Sequence, residues 1–257
     1  MGNVKIITEF FLISLAWTLT LFSPIASSRL TGNGFIKLIS NLAIGALVIT
    51  LVMSFSSLES LASIKLTLFL KLLALIGLLA TTLFHQEEKS WIMYSLYVLI
   101  VTSLGMHIVL FSPLIFNAFF LLSSASLLGI ITYAMILGHW YLVVPKLSER
   151  PLKLAAIITW VILGLKILFS LISTYKHFDF FEEQTSLGSG YAFNWLLLLM
   201  RMSFGYIVIL GMSVFNWKLV KMRSIQSSTG ILYAMTFFIF IGELISTYIF
   251  FNFGLHI

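Results

Sequence analysis

Apolar runs of about twenty residues recur along the whole chain, and each is long enough to cross the hydrocarbon core of a bilayer as a helix. The breaks between them give eight spans, at roughly 6–26, 36–57, 62–84, 91–112, 114–144, 152–174, 192–217 and 228–252. Only 9% of residues are charged, against about 25% in an average soluble domain, so these residues cannot build a water-facing surface. In hydrocarbon every backbone polar group must be satisfied internally. The expectation is an all-α polytopic membrane helix bundle of about eight transmembrane helices, one integral membrane domain over 1–257 with no soluble domain left over. A tight turn is expected at Ser112-Pro113, because the residue before proline is pushed out of helical geometry.

Lys and Arg in the short loops set the expected orientation. Arg29 and Lys37 flank the first loop, Lys146, Arg150 and Lys153 the fifth, and Lys218, Lys221 and Arg223 the seventh. The sixth loop carries Asp179, Glu182 and Glu183 against Lys176. The odd-numbered loops therefore read as cytoplasmic and both termini as lying on the outer side. The first run begins near residue 6 without a small-residue cleavage site and reads as a retained helix. The expected location is a bacterial cytoplasmic (inner) membrane, with the lipid bilayer and other membrane or peripheral protein subunits as partners. The net charge of +6 is spread over loops, which gives nucleic acid no basic domain to bind.

Much chemistry is excluded. The chain has no cysteine, hence no disulfide, thiolate metal site or thiol nucleophile. No phosphate-cradling glycine loop or zinc-metalloprotease helix occurs, and no serine segment pairs with a histidine at one depth.

The stretches "HIVLFSP" and "GHWYLVVPKLSERP" place His107 and His139 each six residues before a proline, near opposite ends of consecutive spans. One haem cannot bridge histidines at different levels, but two haem b groups, one per leaflet, fit those depths. His85 would then join His139, and His177 or His256 would join His107, with Met106 and Met135 as further ligands. The bland alternative is an interfacial belt in which the polar tips of His139, Trp140 and Tyr141 reach the headgroups. His139 is expected to point into the bundle. "GHWYLVVPKL" and "RSIQSSTGILY" both read as specified segments rather than span filler. Ser227, Ser228 or Thr229 is a candidate cap for the last span, while Lys218, Lys221 and Arg223 suit anionic headgroups or a docked partner.

Four charges sit at mid-depth: Lys71, Lys166, Arg201 and Glu243. Each costs at least about 2.5 kcal/mol if left alone there. Arg201 and Glu243, on the last two spans, are expected to pair. Three cations against one carboxylate suggest a local positive excess for an anion, a quinone carbonyl or a haem propionate. Tyr206 lies five residues beyond Arg201, and Gly205 and Gly211 let a helix or flat ligand approach.

These residues support a membrane subunit of a respiratory-type electron-transfer complex, binding haem b, quinone or both. The cofactor candidates are His139, His107 and His85, and Arg201, Glu243, Lys71, Lys166 and Tyr206 form a quinone, substrate or proton path. The alternatives are a small membrane transporter or channel for an anion or protons, and a non-catalytic scaffold subunit of a membrane assembly.

Overall fold

The computed structural model describes residues 2–26, 28–55, 61–83, 91–112, 114–144, 147–182, 185, 188 and 190–257. Among them there are helices and no strands: α1 Gly2–Phe22, α2 Ser28–Thr31, α3 Asn33–Phe55, α4 Leu61–Leu83, α5 Trp91–Leu110, α6 Ile115–Val143, α7 Arg150–Lys176, α8 Tyr191–Met202, α9 Val208–Lys221 and α10 Ile225–Phe253. A π turn at Ser203–Ile207 joins α8 to α9, so the two form one long span, Tyr191–Lys221. Among the described residues eight helices are long and apolar enough to cross a membrane. The seventh runs further toward the basic seventh loop than the sequence reading placed it.

Backbone chemistry sets most of the boundaries. α1 gives way to a 3-10 turn with Pro24 in its first positions. Pro151 stands in the first turn of α7, where its missing N–H is not needed. α5 ends in the expected turn, with Phe111 and Ser112 N–H donating to Ile108 and Val109 carbonyls; Pro113 lies outside the described residues. Gly254 caps α10 at φ 72°, its N–H on the Phe250 carbonyl, the left-handed ending that glycine adopts without strain.

α1 and α6 are the central helices, with 67% and 72% of an 18-residue apolar stretch buried in each, whereas α4, α5 and α7 bury 33% of theirs and present the rest outward. Lipid is as apolar as leucine, so close packing of small residues drives such helices together. At the crossing of α1 and α6, Gly129 lies so near Thr18 that a Cβ would overlap its side chain.

An even number of spans puts both termini at one end, and Asn3 Nδ2 donates to Asn252 Oδ1 there (2.7 Å). The charge asymmetry of the loops reads this as the outer end. At the opposite, basic end Glu149 accepts from Lys153 (2.9 Å) and Arg223 (2.7 Å), linking the fifth and seventh loops. These two bonds hold the Glu149 carboxyl below its ordinary value.

Candidate functional site

The four mid-depth charges do not form one group. Lys166, Arg201 and Glu243 come together between α7, α8 and α10. Each lies ten residues from the termini end of its helix (166 to 176, 191 to 201, 243 to 253), or about 15 Å in. Arg201 Nη2 donates to Glu243 Oε1 (2.9 Å) and to Tyr206 Oη (2.8 Å). Lys166 Nζ lies 3.7 Å from Glu243 Oε2, donates to Ser124 Oγ (2.6 Å) and stands over the Phe120 ring at 3.7 Å. Tyr206 also meets Ser170 Oγ and donates to the Lys166 carbonyl (3.3 Å). The expected Arg201–Glu243 pair is present, with Lys166 as a third member, and all three are at most 1% exposed.

The π turn and two glycines make this arrangement possible. A π turn closes over five residues rather than four, and here it starts two residues after Arg201 and contains Tyr206, whose ring the guanidinium faces at 4.2 Å. Gly205 and Gly242 bring α10 against the turn, because a Cβ on Gly242 would come within 2.5 Å of Gly205 Cα. Of the two approaches anticipated at Gly205, a helix or a flat ligand, it is a helix that comes close here. The cluster is not fully satisfied internally: Arg201 Nε and Nη1 and Glu243 Oε2 are buried without a hydrogen-bond partner.

Lys71 belongs elsewhere, which corrects the reading of three cations against one carboxylate. Its Nζ donates to Glu9 Oε1 and to Ser54 Oγ (2.6 Å), and His107 Nε2 lies 3.4 Å from the same carboxylate oxygen. This second cluster, on α1, α3, α4 and α5, is also in the termini half of the bundle. His107 packs against Phe111, which meets Phe251; that ring meets Phe250, and Phe250 meets Phe120 beneath Lys166. This aromatic wall separates the two clusters. Glu9 was not among the sequence candidates, because next to Asn3 and Lys5 it reads as the polar edge of a span. The signal was a lone carboxylate three residues inside an apolar run, with Lys71 needing a partner.

His139 does not point inward. It is exposed, and its Nδ1 meets Tyr233 Oη on α10 at 2.9 Å. The phenol satisfies the ring, so no interior partner is required. Its neighbours are anchors as well: Trp140 Nε1 donates to the Thr31 carbonyl (2.9 Å) and Tyr141 Oη to the Ser148 carbonyl (2.6 Å). Gly138 lies beside Thr229, so the two specified segments, "GHWYLVVPKL" and "RSIQSSTGILY", pack on each other. Ser228 is not a cap; its Oγ donates to Asn216 Oδ1 (2.6 Å). His85 lies outside the described residues. His256 sits at the termini end with Nε2 2.7 Å from Asn117 Oδ1, among Phe116, Phe120 and Phe250. Among the described residues no group of three or more His, Asp or Glu side chains that could hold a metal ion occurs.

No family model matches the chain, and neither a curated protein nor a solved structure does.

Proposed function

We propose that this chain is a small membrane transporter or channel for protons, working through the Lys166–Glu243–Arg201–Tyr206 cluster. One observation carries the reading: a carboxylate and two cations at most 1% exposed, with formal charge +1 when all are ionised. An uncompensated charge in that setting is costly, and loss of one proton from Lys166 brings the total to zero. Ser124, Ser170 and Tyr206 extend the set of exchangeable hydrogens around the pair. The test is purified protein in liposomes, with a pH-sensitive dye inside and a potassium diffusion potential as driving force. Proton uptake above that of empty vesicles, abolished by Glu243→Gln, supports the reading, and uptake equal to that of empty vesicles overturns it.

The electron-transfer reading has one observation in its favour. An apolar groove of about 330 Å³ opens between α1, α6 and α10, lined by Thr8, Leu12, Thr132, Thr236, Phe240 and Leu244. It continues past Thr8 and Leu244 into a second of about 320 Å³ beside Tyr248. This groove suits an isoprenoid quinone, and Thr8 and Leu244 are sequence neighbours of Glu9 and Glu243. For haem b, among the described residues His107 offers a buried ring nitrogen, Nδ1, without a hydrogen-bond partner. A reduced-minus-oxidised spectrum showing a sharp alpha band, or quinone extracted from the purified protein, would favour this reading over proton transport. Protein subunits that co-purify through the outward faces of α4, α5 and α7 are part of the same proposal.

A further inference from the structure

Seven or eight residues below the charged cluster, on α6, α7, α10 and the α8–α9 span, lies a second polar site. A cavity of about 10 Å³ is lined by Ile131 and Ala134 of α6, Ala156 and Thr159 of α7, Ser213 and Asn216 of α9, and Leu232 and Met235 of α10. That is room for about one water molecule. Ser228 Oγ, near the start of α10 at the basic end of the bundle, donates to Asn216 Oδ1 (2.6 Å), and Trp160 Nε1, beside the cavity, donates to Ser213 Oγ (2.7 Å). Thr159, Ser213, Asn216 and Ser228 are all at most 3% exposed.

The two sites are seven residues apart on three of the helices and eight apart on α10. Ser124 and Ile131, Lys166 and Thr159, Tyr206 and Ser213, and Glu243 and Met235 are the corresponding pairs, two helical turns or about 10–12 Å apart. Residues three or four apart share a helix face. One aliphatic side chain therefore falls on the shared face midway along each helix: Leu127, Leu163, Ile209 and Ile239. All four are at most 1% exposed. They form a single apolar layer between two polar ones.

We infer that the cavity is a water site forming the inner station of a proton route, and that Leu127, Leu163, Ile209 and Ile239 are its gate. The inference rests on the proton-transport reading and adds the route and the barrier. An apolar constriction blocks conduction by excluding water and opens when it is wetted. Nothing in the layer can hold a proton, so a proton passes only when water bridges the Thr159–Ser213–Asn216 site to Lys166 and Glu243.

The experiment compares Ile239→Ser with wild type in liposomes under a potassium diffusion potential. A hydroxyl in the layer should raise proton flux at least about tenfold, equivalent to ~1.4 kcal/mol off a barrier. Ile100→Ser, an equally buried position on α5 away from this seam, should behave as wild type. Adding Glu243→Gln to Ile239→Ser should remove the extra flux. If Ile239→Ser does not assemble, Leu163→Ser makes the same test from α7. Wild-type flux unchanged by the serine overturns the gate and leaves the transport reading standing. A silent wild type with a conducting Ile239→Ser supports the gate and overturns transport by the unaltered protein. Silence in both overturns both, and a leak of equal size in Ile100→Ser overturns the gate.

Discussion

Replacing Glu243 with glutamine keeps the size of the side chain and removes only its charge, so the cost is electrostatic rather than steric. In the native protein Glu243 faces Arg201 at 2.9 Å and Lys166 at 3.7 Å, with all three side chains at most 1% exposed. The substitution leaves two cations side by side without a counter-charge. Breaking a buried pair by removing one partner costs roughly 3–5 kcal/mol, and two orphaned cations put Glu243→Gln near the upper figure, about 5 kcal/mol. Lys166→Met in that background removes one of them and fills its place with apolar volume against Phe120. The double variant should recover about 2 kcal/mol, close to a 30-fold change in the ratio of folded to unfolded protein. Denaturant unfolding in mixed micelles, followed by tryptophan fluorescence, measures both variants. A double variant no more stable than Glu243→Gln alone would refute the argument that uncompensated charge sets the cost.

Gly242→Ala should cost about 1–3 kcal/mol by overpacking, because its Cβ would meet backbone at Gly205. Gly205→Ala should cost less, since the clash there is with the end of the Arg201 side chain; equal losses in the same unfolding assay would count against that contrast. Lys71→Met should cost about 3 kcal/mol by leaving Glu9 without its lysine. Because the aromatic wall separates the clusters, its effect should add to that of Lys166→Met within about 0.5 kcal/mol; a larger coupling would show that the wall does not insulate them. Burial, with His177 and Lys166 nearby, holds the His256 imidazole down at about 4 against 6.5 for an ordinary histidine. Between these values the unfolded chain binds more protons, so this contribution is complete above pH 6.5, is lost as pH falls toward 4 and changes no further below. A pH series of melting temperatures should show that loss, and His256→Gln should flatten it.

Some of the site was legible before the fold was known. A charge inside an apolar run demands a partner, and that rule picked out Lys71, Lys166, Arg201 and Glu243 and paired Arg201 with Glu243. It did not say which cation goes with which carboxylate, because helix order along the chain does not fix helix neighbours in space. Lys71 thus joined Glu9, from the first span, rather than the cluster on the last three. His139 was misjudged because its partner, Tyr233, lies 94 residues away on a helix whose rotation no local pattern reveals. The small apolar moment of such helices is the reason: lipid and protein interior are equally greasy, so hydrophobic periodicity does not tell the inward face from the outward one.

The amino-acid sequence by itself determined the number of spans, most of their ends and the shared end of the two termini. Those follow from local quantities: the length of hydrocarbon a helix must cross, the stops set by proline and polar breaks, and an even number of crossings. Tertiary structure alone decided which charges meet, that a π turn and two facing glycines bring Arg201 onto Glu243, and that four helices align a polar cavity, an aliphatic layer and a charged cluster in register. Those depend on rotations and close approaches of helices distant in the chain, which packing fixes and composition does not encode.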